Sequence, residues 1–205
     1  MPINDVRGSH LLQALPTLRL EHTRLISPSI LAAQHKELAM LSLGKIQLQQ
    51  RLYTPVYLVK QENKLLVYNA ETGDKLPPLT QAQALSIATN ASPLPVLSAT
   101  WVTEVKRGSE YRDGELPAWK IELNGADEAS LWIGANTGKV SAIRTNTWRF
   151  YDLLWSLHIM DYVDRDNFNS WLLRAFALLG VITVVSGIAL FFISAKQRKH
   201  SLATD

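Results

Sequence analysis

The sequence predicts an α+β fold in which two helix-plus-hairpin units are followed by one C-terminal transmembrane helix. Two stretches of alternating apolar and polar residues each end in Ala-x-Thr-Gly, and a helix-forming stretch precedes each of them. Farther along the chain, residues 175–194 carry no charge. Alternation with a period of two is typical of strands with one buried face, and a long uncharged run is typical of a membrane span.

The composition supports a folded chain and excludes several classes of function. Of the 205 residues, 47% are hydrophobic and 19% are charged, which is enough apolar material for a core of ordinary size. The net charge of +3 is modest and most basic residues are scattered, so nucleic-acid binding is not expected. The chain has no cysteine, which excludes disulfides, thiolate catalysis and cysteine-ligated metal clusters.

The two hairpin regions share one plan, which indicates an internal duplication. Residues 56–76 and 118–143 each contain a strand, a polar turn, a second strand and then Ala-x-Thr-Gly. We therefore expect Gly73 and Gly138 to lie in equivalent turns at strand ends, where a positive φ excludes most side chains.

A short helical stretch is expected before each hairpin. Residues 29–38 open with a serine and residues 80–88 with a threonine, and both residue types cap free N–H groups at helix starts. The proline-containing stretches 76–79 and 92–95 are expected to be connectors, because proline cannot continue regular structure. The side chains expected to face the sheets are Leu31, Leu38 and Met40 in the first copy and Ala84, Leu85 and Ala88 in the second.

Residues 175–194 form the predicted membrane span, because a helix of that length crosses roughly the 30 Å hydrocarbon core. A buried helix of a soluble protein is the alternative. The span is favoured because apolar residues cover the whole helix, Trp171 precedes it, and Lys196, Arg198 and Lys199 follow it. By the positive-inside rule, the C-terminal tail is cytoplasmic and the preceding domain lies outside.

Residues 1–25 contain no basic segment followed by an apolar run, so no signal peptide is recognisable there. We expect an upstream transmembrane helix, missing from this chain, to deliver the domain to the outer face. The expected segments are an extended N-terminal segment (1–26), the first unit (27–78), the second unit (79–147), a juxtamembrane segment (148–174), the transmembrane helix (175–194) and a cytoplasmic tail (195–205).

From about Ser27 to the tail, the chain resembles the PepSY and PepSY-associated transmembrane family. The resemblance rests on the two helix-hairpin copies, on residues 116–119 (LPAW), and on the stretch WSLHIMDY at 155–162, which is followed by 165–169 and the apolar helix. It implies two PepSY-like units with an extracytoplasmic sensing, protease-inhibiting or redox-accessory role. Family members usually begin with a transmembrane helix, and larger relatives resemble haem-bearing ferric-siderophore reductases.

Candidate binding residues lie just before the membrane span. His158 could bind haem or a metal or carry a proton, but hydrogen bonds that lock the domain onto the helix end explain His158 and Asp161 more simply. A bis-histidine haem would need a second imidazole at similar depth, which this chain alone does not offer. The polar residues that follow, Arg165, Asp166 and Asn167, could also bind a partner or a lipid headgroup, but a capped, salt-bridged helix start explains them as well. The full candidate set is His158, Asp161, Tyr162, Arg165, Asp166 and Asn167.

Two further features concern the membrane. Aromatic residues between Trp148 and Trp171 are expected to form an interfacial belt, and Arg174 is expected to reach outward to phosphates or to pair with Asp164 or Asp166. Within the span, small residues three or four positions apart favour close packing against another helix, although incidental glycines in a lipid-facing helix are an equal alternative. These small residues are Gly180, Thr183, Val184 and Gly187.

We expect no catalytic residues, because no nucleophile–base pattern, paired carboxylates or Gly-rich phosphate loop occurs at a recognisable spacing. The leading hypothesis is a non-catalytic, membrane-tethered accessory protein without a cofactor or metal. It would contact membrane lipid and another membrane or envelope protein, and a homodimer is possible. The alternative is a haem-associated redox subunit of a ferric-reductase-like membrane system, in which His158 holds the haem.

Overall fold

The computed structural model describes residues 6–15, 17, 24–38, 45–61, 64–112, 114–125, 127–165, 167 and 169–201, with only the backbone described for 195–201. These residues form two compact bodies, an N-terminal body (Met1–Tyr151) and a C-terminal body (Asp152–Asp205). The predicted α+β class is confirmed, since the chain contains two antiparallel sheets and a C-terminal apolar helix.

The first helix-plus-sheet copy contains helix α1 (Pro28–Gln34) and strands β1 (Ile46–Arg51), β2 (Thr54–Gln61) and β3 (Lys64–Asn69), which pair in the order β1-β2-β3. The predicted hairpin is β2–β3, in which Leu58 pairs with Val67. Strand β1 was not predicted. Its apolar and polar residues alternate only from Ile46 to Gln49, which is a short pattern.

The second copy contains helix α2 (Gln81–Ala91) and strands β4 (Val96–Val102), β5 (Ala118–Leu123), β6 (Ser130–Gly134) and β7 (Val140–Arg144). They form one antiparallel sheet in sequence order. The predicted hairpin is β5–β6, and two strands that were not predicted, β4 and β7, flank it. In the first copy, the place of β7 is taken by a single bridge between Tyr68 and Lys75.

The two helix starts differ in how well the sequence located them. Thr80 caps α2 as expected, because its Oγ1 accepts a hydrogen bond from Gln83 N at 3.3 Å and Gln83 Oε1 accepts one from Thr80 N at 3.0 Å. The start of α1 was placed too late. Its cap is Ser27, whose Oγ accepts from Ile30 N at 3.4 Å, and Ser29 lies inside the helix.

The buried helix faces largely agree with the prediction. Leu31, Leu38, Ala84 and Ala88 are all buried. Leu85 is only partly buried, because α2 turns a different stripe towards its sheet. Ile87 and Ala91 complete that stripe, and Met40 lies outside the described residues.

The expected equivalence of the two glycine turns is confirmed. Gly73 has a φ of 85° and Gly138 a φ of 69°. Gly73 N donates to Asn69 O at 2.9 Å, and Gly138 N donates to Gly134 O at 2.8 Å. Each glycine therefore closes a turn directly after the last strand of its hairpin, in the left-handed region that non-glycine residues adopt only at a cost.

Each turn also holds the residue that precedes the helix cap of its own copy. Ile26 N donates to Ala70 O at 2.9 Å, and Leu79 N donates to Ala135 O at 2.7 Å. The two alanines are completely buried. The helix start and the strand end are thus joined by the same backbone hydrogen bond in both copies.

An aromatic side chain completes the same connection. Tyr57 Oη donates to Ile26 O at 2.7 Å, and Trp119 Nε1 donates to Leu79 O at 2.9 Å. Tyr57 and Trp119 each lie two residues after a proline that is found at or just before the start of the first strand of the hairpin. Because the two copies share the anchoring hydrogen bonds as well as the Ala-x-Thr-Gly motif, the duplication extends to their tertiary contacts.

The chain ends in helices α3 (Asn146–His158) and α4 (Trp171–Ser201). Within Trp171–Ser194 of α4, the most apolar 18-residue window has a mean hydropathy of 2.6, and none of that window is buried. The helix is therefore long and apolar enough to cross a membrane, which is compatible with membrane anchoring.

Candidate binding cleft and juxtamembrane residues

The described residues contain no group of three or more histidine, aspartate and glutamate side chains that could hold a metal ion. The N-terminal body contains a mostly apolar cavity of about 280 Å³. It lies where the β1–β2 turn, α2 and the Gly138 turn meet, and we call it the junction cleft. Its walls include Leu52, Tyr53, Ile87, Asn90, Lys139 and Val140.

The β1–β2 turn forms the exposed wall of the junction cleft. Leu52 has a φ of 56°, in the left-handed region, and Tyr53 is 59% exposed. Gln50 Nε2 donates to Leu52 O at 2.6 Å and so braces the turn from its own strand. An exposed aromatic ring beside an apolar cavity is a common arrangement in binding surfaces.

Strand β1 is fixed to the second copy beneath this wall. Arg51 is only 6% exposed, and its Nη2 donates to Pro77 O at 2.7 Å. Gln49 Nε2 donates to Thr137 O at 3.4 Å. Burial lowers the pKa of Arg51, although the guanidinium group remains charged. Gln49 thus joins the first sheet to the second copy, and Arg51 joins it to the connector that precedes α2.

The Gly138 turn is held from outside its own hairpin, by Glu115. Glu115 Oε1 accepts hydrogen bonds from Asn136 N at 2.9 Å and from Thr137 N at 3.2 Å. Glu115 Oε2 accepts one from Thr137 Oγ1 at 2.5 Å. A Cβ on Gly134 would collide with this carboxylate, so the glycine provides the space that Glu115 occupies.

In the first copy, the equivalent turn is held by its own strand. Asn69 occupies the position of Gly134, and its Oδ1 accepts from Glu71 N at 2.8 Å and from Thr72 N at 3.3 Å. His35 Nε2 donates to Gly73 O at 2.8 Å. The side chain of Gln34 fills the space beside Gly73. The first turn is therefore packed by α1 and its C-cap, whereas the second is packed by Ile87 of α2 and by Arg51 and also borders the junction cleft.

A second, polar cavity of about 710 Å³ lies beside β5 and β6. Arg149 Nε is 2.7 Å from Glu110 Oε2, and the Arg149 guanidinium also donates to Glu128 O at 3.0 Å and to Ser130 Oγ at 3.1 Å. Because the Arg149 guanidinium already donates to several acceptors, we interpret these groups as stabilising the fold and not as a ligand site.

The predicted juxtamembrane site residues occupy different environments. His158 is exposed and stacks on Trp155, with 5.9 Å between ring centroids. Tyr162 is 55% exposed. Arg165 Nη1 lies 2.8 Å from Asp152 Oδ2 and forms an ion pair with that buried carboxylate. Asp166 lies outside the described residues.

Asp161 organises the loop before α4. It is buried, and its Oδ1 accepts from Val163 N and Asp164 N, each at 3.2 Å. Its Oδ2 accepts from Asn167 N at 2.9 Å. Arg174 donates to Asn169 Oδ1 at 2.8 Å, a partner that the sequence did not indicate. The carboxylate of Asp161 therefore serves the loop backbone.

The predicted packing residues of α4 are exposed along the apolar helix. A Cβ on Gly180 or Gly187 would meet nothing within 4 Å, and Thr183 Oγ1 donates to Leu179 O at 2.9 Å within the helix. The structure does not bring these residues together with the juxtamembrane set. The sequence missed the junction cleft and Glu115, whose role depends on a contact with residues more than 20 positions away.

Comparisons with protein-family models, curated proteins and solved structures give no match to this chain.

Proposed function

We propose that this protein is a non-catalytic accessory protein of the bacterial envelope, with two PepSY-like units on the outer side of the inner membrane and α4 as the anchor. We further propose that the junction cleft binds an apolar segment of another envelope protein. The observation that carries the proposal is the contrast between the two glycine turns. The Gly73 turn is packed by Gln34 and His35, whereas the Gly138 turn is packed by Ile87 and Arg51 and also borders an apolar cavity.

The chemistry of the junction cleft favours a peptide segment. Its volume of about 280 Å³ is at the lower end of small-molecule sites, which are typically about 300–1,000 Å³, so it suits one or two side chains rather than a large cofactor. Gln49, Gln50 and Asn90 place amide groups on the walls, and Lys139 is the charged residue among those that line the cleft. The expected ligand is therefore an apolar peptide segment with a nearby carboxylate.

The orientation follows from the basic residues after the span. A reporter enzyme fused after Asp205 should be active only if it is of a cytoplasmic type, and one inserted at Gly108 only if it is of an extracytoplasmic type. The opposite pattern would place the junction cleft in the cytoplasm and remove the proposal.

The binding proposal is tested by photocrosslinking in native membranes. A benzoylphenylalanine at Tyr53 of the full-length protein should give a discrete adduct with one envelope protein. Asn90→Trp, which fills the cleft from α2, should reduce the yield about tenfold, equivalent to roughly 1.4 kcal/mol of binding free energy. An unchanged yield would contradict binding in this cleft.

Thr89→Trp provides the matched control for Asn90→Trp. Thr89 and Asn90 are both exposed on α2, and each side chain donates to the carbonyl four residues earlier, at 3.0 Å and 2.8 Å respectively. Only Asn90 lines the junction cleft. Thr89→Trp should therefore leave the adduct unchanged, and equal losses in both variants would indicate a general effect on α2.

The haem-associated alternative would depend on His158. Its exposure on the C-terminal body would leave the imidazole accessible to a group supplied by another chain. Among the described side chains of that body, His158 is the only imidazole, so a bis-histidine site would need a second protein or a second molecule of this one.

A further inference from the structure

The part of α3 that belongs to the C-terminal body has an inverted pattern of burial. Asp152 and Ser156 are only 6% and 1% exposed. By contrast, the large apolar residues around them are 42–48% exposed. A helix on the surface of a water-soluble domain shows the reverse, with its apolar stripe buried and its polar residues in water. The exposed residues are Leu153, Leu154, Trp155 and Leu157.

The loop between α3 and α4 covers the polar stripe. Arg165 pairs with Asp152 at 2.8 Å, and Asp161 N donates to Ser156 O at 3.0 Å. Ser156 Oγ donates to Leu153 O at 2.7 Å, within the helix. The polar groups on this side of α3 are therefore satisfied internally, as they must be where water is scarce.

The end of α3 is fixed beside the start of the apolar helix. Ser170 Oγ donates to Met160 O at 3.1 Å and accepts from Leu173 N at 3.2 Å. Met160 lies two residues after the end of α3, and Ser170 directly precedes α4. Leu153 is five residues before His158, which corresponds to roughly 8 Å of helix rise. The exposed apolar residues of α3 are therefore close to the point where the apolar helix begins.

We propose that residues 152–163 form an interfacial element whose exposed apolar side chains insert into the headgroup and acyl boundary of the membrane that α4 crosses. This inference rests on the proposed membrane anchoring. The lipid surface is the occupant because these residues continue the exposed apolar surface of α4 within one compact body. Trp155 and Tyr162 combine an apolar ring with a polar group, which suits the membrane interface.

The patch continues beyond α3. Tyr162 and Val163 are 55% and 63% exposed, and Trp171 at the start of α4 is 78% exposed. Asp161 holds the intervening loop by its three backbone hydrogen bonds. The loop therefore presents its apolar residues outward while its carboxylate faces inward. This arrangement fits a lipid boundary and would be costly in water.

The inference is tested with single-cysteine variants, which are straightforward because the chain contains no cysteine. The full-length protein carrying Leu154→Cys, labelled with bimane, is reconstituted in phosphatidylcholine nanodiscs with and without lipids that bear a doxyl quencher near the headgroup. We expect the quencher to lower the fluorescence about twofold, as for a side chain at the interface. Ala82→Cys, at an exposed position on α2, should show no quenching.

A third variant separates this inference from the membrane anchoring on which it rests. Ile182→Cys, near the middle of the apolar helix, should be quenched by lipids that carry the doxyl group deeper in the acyl chain. If Ile182→Cys is quenched but Leu154→Cys behaves like Ala82→Cys, the interfacial element is wrong and the anchor stands. If neither is quenched, both are wrong. Protection of Leu154→Cys from lipid, together with crosslinking between two molecules of this protein, would assign the patch to a protein interface and overturn the inference.

Discussion

The two copies in the N-terminal body use the same backbone hydrogen bonds around Ala-x-Thr-Gly but different side chains to hold the turn. In the first copy, Asn69 lies on the strand itself and accepts two turn N–H groups. In the second, Gly134 has no side chain, and Glu115 reaches in from the preceding loop to do the same. The backbone arrangement is therefore preserved, while the acceptor has moved to another part of the chain.

The side chains that pack against the two glycines also differ. In the first copy, Gln34 and His35 pack against Gly73, so the turn is closed by its own helix and cap. In the second, the equivalent position on α2 is Ile87, whose shorter apolar side chain forms part of the junction cleft. Side chains therefore pack against both turns, and the turn of the second copy also borders the junction cleft.

The largest predicted effect comes from exchanging the two acceptors. Glu115→Ala should lower the free energy of unfolding by about 3 kcal/mol, because two buried N–H groups and a hydroxyl lose a charged acceptor. Gly134→Asn in this background should recover about half of the loss by supplying the amide that the first copy uses. Urea unfolding in detergent monitors both variants.

Gly134→Asn alone provides the control for this exchange. With Glu115 present, the new side chain collides with the carboxylate, so the same substitution should destabilise the protein. We therefore expect Gly134→Asn to raise the free energy of unfolding in the Glu115→Ala background and to lower it when Glu115 is present. If Gly134→Asn destabilises the protein in both, the two turns are not interchangeable.

The next effect concerns the glycines that close the turns. Gly138→Ala should lower the free energy of unfolding by about 1–2 kcal/mol, because an L-residue is disfavoured at this positive φ, and Gly73→Ala should cost more because Gln34 must also move. Gly125→Ala, at a glycine without a positive φ, should cost less. Thermal unfolding distinguishes the three variants, and equal costs would remove the conformational argument.

Burial raises the pKa of one tyrosine in each copy, Tyr68 in the first and Tyr111 in the second, and the prediction concerns Tyr111. Tyr111 stacks on Trp132 at 4.3 Å and donates to Glu115 O at 3.1 Å. Because the folded-state pKa is raised, the stability from the neutral phenol is complete below about pH 10 and is lost as the pH rises through the folded-state pKa. Tyr111→Phe should flatten the fall of the urea midpoint above about pH 10. An unchanged slope would exclude Tyr111 as its cause.

The smallest expected signal is the absence of haem. The full-length protein, purified from membranes, should show no Soret absorbance under the accessory-protein proposal. A Soret band that disappears in His158→Ala but persists in His35→Ala would replace that proposal with the redox alternative.

The sequence predicted the features that depend on local pattern. The hairpins, the glycine turns and the Thr80 cap follow from alternation and from single residues with strong conformational preferences. Strands β1 and β4 were missed because apolar and polar residues alternate only over a short stretch of each strand, such as Ile46 to Gln49 in β1. Their place in the sheets depends on pairing with the hairpins, which no local pattern encodes.

The candidate site was harder to predict, because it is made by contacts between distant residues. Glu115 and Asn136 are 21 positions apart, and the junction cleft joins β1, α2 and the turn after β6. The burial of Asp152 could not be deduced either, because its partner Arg165 lies beyond the end of the helix. Apolar residues on nearly every side of α3 gave no single stripe from which a buried face could be chosen.

The most direct test of the account compares photocrosslinking from the two copies in the same native membranes. Benzoylphenylalanine is placed at Tyr53, beside the junction cleft, or at Glu71, which is exposed on the closed turn of the first copy. The account predicts a discrete adduct with one envelope protein from Tyr53 and none from Glu71. Equal adducts from both positions, or an adduct from Glu71 alone, would contradict the claim that the second copy provides the binding site.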